Sequence, residues 1–316
     1  MKKLFVIIFI LLCFEYNVYS SYIVLVDDVV IEENDIHKTQ SVASISKIMT
    51  ALIAIENGDL MDKVNIDKET TLQIGSSLYM LENESYSLLS LIYGLMLRSG
   101  NDAAYAISKH VGGNVESFVK LMNQKAIAIG MKETTFSNPS GLDEFDDGNI
   151  SSVYDMALCM REAMKNEIFR MIVNTRQYKA ENNRVWINKN RLLNMYEYAN
   201  GGKTGYTTKS GKTLVTSASY NGLESIVVSF RENDYFNLHK RLHEKINQEY
   251  KNITLIKKGS YKRNNKNIII DKDINLLLKN DEEVSYKIYK DKQQYILEYT
   301  QLNESRKVII NDTILE

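Results

Sequence analysis

The sequence predicts a mixed α/β fold, and three observations predict it. Two short β-rich runs stand near the start, at 22–26 and 29–32. Separate helical patterns then recur between Ser44 and Lys165. After Gly201-Gly202 the pattern turns to consecutive strands, and beyond about Lys251 it stays β.

Each element has a local reason. The runs 22–26 and 29–32 flank Asp27-Asp28, residues that suit a hairpin turn. A helix is expected from Ser44 through Ile48, Met49, Leu52, Ile53 and Ile55, with Gly58 as its stop. Ser44 then stands at a helix N-terminus, where free N–H groups favour negative charge. The apolar run 88–97 reads as a helix leading into Arg98 and Ser99. Helices 102–110 and 115–129 follow, broken by Gly112-Gly113. Asn138-Pro139-Ser140-Gly141 is a loop with the chain's one proline, and 152–165 is again helical. Residues 203–207, 213–219 and 225–230 read as consecutive strands, with Asn221-Gly222 as a tight turn. A helix over 235–250 follows. Short β runs at 268–270, 284–289, 295–299 and 308–310 then define a small C-terminal β domain over 251–316.

The chain has 316 residues, 44% of them hydrophobic and 25% charged, enough for a sizeable core and against wholesale disorder. A net charge of −1 lacks the basic footprint of a nucleic-acid partner. Lys2 and Lys3 precede an apolar run over 4–14, and small residues follow at Ser20 and Ser21. This reads as a secretory signal over 1–20, placing the mature chain outside the membrane. Cys13 falls within it and lacks the small residues that precede a lipidated cysteine. Cys159 is then alone, cannot form an internal disulfide, and reads as a buried filler.

Ser44 and Lys47 carry the chemistry. Three residues apart on a helix, they share one face. That sets an amine beside a hydroxyl it can deprotonate. Two triplets follow in order, Ser99-Gly100-Asn101 and Lys203-Thr204-Gly205. A second S-x-x-K, Ser117 to Lys120, has no such companions and reads as a solvated helix face. Ser44 is the expected nucleophile. Lys47 must be neutral to accept its proton, although a free lysine titrates near pH ~10.4. Burial and a second cation at Lys203 would both lower that value. Ser99 is placed to relay a proton to a leaving amine, and Asn101 to hydrogen-bond the substrate backbone. Lys203 and the Thr204 hydroxyl suit a terminal carboxylate. Gly205 keeps a strand edge open to an extended peptide. The N–H groups of Ser44 and Tyr206 would hold the oxyanion.

The ordered set S-x-x-K, S-x-N and K-T-G resembles that of penicillin-binding proteins and serine β-lactamases. The wider stretches 43–51, 99–104, Met122-Asn123, 138–143 and 203–207 resemble the serine D-alanyl-D-alanine carboxypeptidases, over about residues 21–250. Val42 and Ser46 stand where that family usually has Pro and Thr. Its membrane-bound members often end in an amphipathic helix, whereas 307–316 reads as a strand and short tail. The resemblance implies a β-lactamase-like domain, an antiparallel sheet flanked by helices, with an all-helical lobe supplying Ser99 and Asn101. It also implies a peptidoglycan stem peptide ending in D-Ala-D-Ala as substrate, covalent acylation by β-lactams, and no cofactor or metal.

Rival readings are weaker. Gly205 to Thr213 lacks the spacing and flanks of a phosphate loop. His239 and His243, four apart on a helix, read as a surface pair without a third metal ligand, and His37 and His110 have no evident partners. A β-lactamase would need a deacylation base, and 138–143 shows no Glu set up for one. A poorly active wall-binding protein would not need Ser44, Lys47, Ser99, Asn101 and Lys203 intact. Lys257, Lys258, Lys262, Arg263 and Lys266 form a basic cluster, a solvated face or a contact for anionic wall polymer or lipid.

Overall fold

The computed structural model describes residues 20–143, 148–263, 266–270, 272–291, 294–302 and 304–310. The expected leader, with Cys13, lies outside the described residues except for Ser20, as does the tail 311–316.

A five-stranded antiparallel sheet forms the centre. Its order is Val29–Asn34, Ser21–Val26, Leu223–Phe230, Gly211–Tyr220 and Ala199–Thr207. The register sets Ser21 opposite Phe230, and Thr213 opposite both Phe230 and Gly205. Period-two alternation divides these strands between two cores. Ile23, Leu25, Val215, Ile226 and Val228 join a large apolar cluster with the central helices. Val24, Val26 and Val227 point the other way, where Leu242 and Ile246 of helix Tyr235–Glu249 cover them.

The helix Lys47–Asn57 runs through the larger core. Every residue from Lys47 to Ala54 is buried, as its all-round apolar sequence requires. A short 3-10 turn, Ala43–Ser46, precedes it, so Ser44 stands in that turn just ahead of the α-helix proper. Helices Leu88–Arg98, Asn101–Gly112 and Val115–Ala128 pack beside it. Ser87, Asn114 and Ser152 cap the helices they precede by accepting backbone N–H bonds, as short polar side chains do.

His239 and His243 are not a surface pair, since both are fully buried between helix Tyr235–Glu249 and the sheet. Ser225 donates to Ala218 O, so His243 Nδ1–H donates to Ser225 Oγ at 2.8 Å. Thr216 then donates to His243 Nε2 at 2.9 Å and accepts from His239 Nδ1 at 2.7 Å. Ser229 completes the chain at His239 Nε2, at 2.9 Å. Both imidazoles are neutral donor–acceptor links, so burial cost is met by hydrogen bonds. His37 and His110 do have partners, Glu133 and Asp62, each from a distant part of the chain. The edge strand begins at Ala199, four residues earlier than expected, and short pairs such as Lys63–Asn65 with Ser85–Ser87 were not foreseen.

Helix gives way to strand at Tyr250. Tyr250–Ile256 pairs with Ile274–Lys279, Gly259–Arg263 with Lys266–Ile270, and three strands over 286–310 form a further antiparallel sheet. Tyr250 and Leu277 pack with Val24 and Val26 of the main sheet. Cys159 is fully buried, and burial pushes its thiol far above the ordinary range. Lys120 pairs with Glu116 on an exposed helix face, as expected for the second S-x-x-K.

Candidate active site

Three chain segments bring the expected residues together at Ser44, and the loop with Ser140 closes a fourth side. The nucleophile turn brings Ser44 and Lys47, with Lys47 Nζ 2.9 Å from Ser44 Oγ. Helix Leu88–Arg98 ends in Ser99, whose φ of 68° reverses the chain. Asn101 then opens the next helix, so Ser99 and Asn101 reach the site from one tight corner. The Asp102 carboxylate fixes that corner by accepting from Leu78 N and Ser77 Oγ, at 2.8 and 2.7 Å. The edge strand supplies Lys203, Thr204, Gly205 and Tyr206. All eight residues expected from the sequence therefore lie on these three segments.

Lys47 is fully buried, and its Nζ has three oxygen neighbours. Asn101 Oδ1 lies at 2.7 Å and the Ser140 carbonyl at 2.5 Å. The Asn101 amide is oriented by its own bond, Nδ2 donating to Ile74 O at 2.7 Å. Both oxygens can only accept. In a neutral amine, the two hydrogens go to them and the lone pair faces the Ser44 hydroxyl, the arrangement a general base needs. Electrostatics favour that neutral form. Burial holds the Lys47 amine well below the ordinary lysine range, and the neighbouring Lys203 and Lys189 add to the effect against a smaller opposing pull from Asp102.

Lys203 is also buried, with its Nζ 3.0 Å from Ser99 Oγ and 2.6 Å from Thr204 O. Burial, and then Lys189, lower it to about 7. It thus sits between charged and neutral at physiological pH, poised for an anion that would favour the ammonium. Ser44 and Thr204 are half-buried and Tyr206 is 68% exposed, so the buried lysines underlie an accessible surface.

Gly205 acts where strand meets turn. A Cβ there would come 2.4 Å from Thr213 Oγ1 and 3.0 Å from Ser44 N. Its missing side chain lets the edge strand approach the nucleophile's backbone. Gly141, at φ +80°, does the same from the other side, where a Cβ would fall 2.0 Å from Ala43 O. Asp143 ties the pieces together by accepting from Ser41 and Thr207 at 2.5 and 2.7 Å.

Sequence reasoning gave no role to Ser140 or Lys189. Ser140 contributes a backbone carbonyl, which any residue would supply. Lys189 lies in a loop between Ile187 and Leu192 with no motif around it. Its Nζ reaches Ser76 Oγ at 3.5 Å, and it acts on the site through charge.

The fold and the pair at Ser44 first define a class, an active-serine protein of mixed helix-and-sheet build with lysine beside the nucleophile. The family model described as D-alanyl-D-alanine carboxypeptidase matches residues 16–234, and the chain belongs to that family. D-alanyl-D-alanine carboxypeptidase DacF of Bacillus subtilis is 36% identical over 197 residues, 60% of this chain and 50% of that protein. The chain thus spans half the length of this relative. A D-alanyl-D-alanine carboxypeptidase structure from Mycobacterium tuberculosis aligns with TM-score 0.67 at 30% identity, covering 71% of this chain and 89% of that one. Penicillin binding protein 5 of Haemophilus influenzae shares the fold over 92% of this chain and 96% of its own, with TM-score 0.79 at 22% identity.

Proposed function

We propose that the protein is a serine D,D-carboxypeptidase that removes the terminal D-Ala from peptidoglycan stem pentapeptides through an acyl-enzyme on Ser44. The observation that carries this is the 2.9 Å contact between Ser44 Oγ and a fully buried Lys47 whose other neighbours are acceptors only.

In this reading, Lys203 and the Thr204 hydroxyl hold the peptide's terminal carboxylate. Lys47 takes the Ser44 proton as Oγ bonds to the penultimate carbonyl carbon. The N–H groups of Ser44 and Tyr206 stabilise the oxyanion, a contribution of about 3 kcal/mol per donor. The C–N bond then breaks. The departing D-Ala amine takes the proton by way of Ser99, and Asn101 holds the acyl side of the substrate. Water next attacks the ester carbonyl and gives its proton back through Lys47, freeing Ser44. A β-lactam offers an amide at the same place and leaves the serine acylated.

The family membership and the two named carboxypeptidase relatives support the substrate assignment. The leader over 1–20 exports the chain, and the strands that follow Tyr250 make a small β domain. Lys257, Lys258 and Lys262 are exposed on that part, suited to anionic wall polymer or lipid. D-Ala release from a soluble pentapeptide tests the activity. Wild-type protein should release it and Ser44→Ala should not. Release by Ser44→Ala at the wild-type rate would refute the assignment.

A further inference from the structure

One cavity of the molecule lies well away from Ser44. It is a cleft of about 770 Å³ at the other end of the edge strand. Ser219 N donates to Tyr198 O at 3.0 Å, and this pairing sets Tyr198 against Tyr220. Their rings meet edge to face with centroids 4.5 Å apart. Tyr196 adds a third ring, 5.5 Å from Tyr198 and stacked on His243 at 6.0 Å. The Asn247 amide donates to the Tyr196 hydroxyl and holds it in place. Asn194 and Gln248 also line the cleft.

The charges here cancel. Arg176 and Lys240 face Glu197 and Glu244 in equal number. Arg176 is already committed to Asn194 Oδ1 and Leu193 O, and Lys240 lies 3.6 Å from Glu244. A strongly charged ligand would find no net field, and an apolar one would strand the amides. Flat aromatic faces ringed by amide groups suit a ligand with apolar ring faces and many hydroxyl and amide groups. The volume falls within the range of built ligand sites and exceeds one sugar ring.

We propose that this cleft binds a neutral oligosaccharide of acetamido sugars, stacked against the solvent-facing sides of Tyr198 and Tyr220. It stands apart from the acylation site. Tyr198 precedes Lys203 by five residues, or roughly 17 Å of extended strand. The inference is independent of the peptidase assignment, because binding is read without turnover.

Titration calorimetry with the tetramer of N-acetylglucosamine tests it, with cellotetraose as the sugar lacking acetamido groups. Wild-type protein should bind the first saturably and the second at least about tenfold more weakly. Tyr198→Ala and Tyr220→Ala should each weaken binding about tenfold, the loss expected for one ring contact. Labelling of Ser44 by a β-lactam should be unchanged in both, which shows that they fold. Absence of binding at millimolar sugar, or full affinity in a folded Tyr198→Ala protein, would overturn the site. Equal affinity for cellotetraose would overturn the acetamido assignment.

Discussion

Two pairs of buried bases lie on this fold, and they are treated in opposite ways. Lys47 and Lys203 are buried beneath a half-exposed serine. His239 and His243 are equally buried behind the sheet, but every ring nitrogen is closed by a hydroxyl. Burial drives all four toward the neutral form, down to about 7 for Lys203 and about 3 for His243. The difference is what the neutral base faces. A neutral Lys47 would turn its lone pair to the half-buried Ser44 oxygen, where depressed basicity serves the proposed chemistry. The histidines turn theirs into a sealed chain, so depressed basicity becomes a dependence of stability on pH. A perturbed pKa marks a functional group only when geometry leaves it something to act on.

The largest effect is expected at Lys47, the base that faces a reactive group. Lys47→Ala removes the base while leaving Ser44 in its turn, and acylation by a β-lactam should slow about 10²- to 10⁴-fold. Stopped-flow labelling measures it, and a rate within threefold of wild type would move the base elsewhere.

The second test concerns Lys203. In the proposed mechanism its ammonium holds the substrate carboxylate, and it loses its charge above about pH 7. For a carboxylate-terminated peptide, kcat/KM should therefore fall toward alkaline pH, about tenfold per unit once well past the midpoint. The matching carboxamide should lack this limb. Identical alkaline profiles for the two peptides would remove Lys203 from carboxylate binding.

The third prediction concerns the histidines. Each has a folded pKa below its unfolded value near ~6.5, so the unfolded chain binds the extra protons. Their contribution is present in full above about 6.5 and is lost as pH falls, toward about 3 for His243 and well below the ordinary histidine range for His239. Urea unfolding should show stability dropping by about 1.4 kcal/mol per pH unit for each histidine in that window. A His239→Gln, His243→Gln protein should show a flatter slope, and an unchanged slope would acquit the pair. The smallest effect is expected at the second S-x-x-K. Lys120→Ala breaks only an exposed pair, so stability should stay within about 0.5 kcal/mol and β-lactam labelling should be unaltered. Loss of labelling there would show that this motif too is engaged.

The site residues were legible because their identity is their chemistry. A serine three residues before a lysine shares its helix face whatever packs around it, and Lys203-Thr204-Gly205 announces itself on a strand. What completes the site was not legible. The Ser140 carbonyl carries no side-chain signature, and Lys189 matters only through a proximity that tertiary folding creates. The histidines were misread because a polar helix with His at i and i+4 resembles a solvated face. The counter-signal lay on the strands, where Thr216, Ser225 and Ser229 place hydroxyls toward that helix. The succession of helices and strands followed from periodicity, while short pairs such as Gln177–Lys179 with Val185–Ile187 are too brief to leave a pattern.

The proposed function requires that the Ser44 oxygen become covalently acylated with the help of an uncharged Lys47. Intact-protein mass spectrometry after brief exposure to benzylpenicillin tests it most directly. The protein should gain one penicilloyl group, mapped to the peptide containing Ser44 and absent from Ser44→Ala. An unmodified mass in folded wild-type protein, or an adduct carried on another residue, would contradict it.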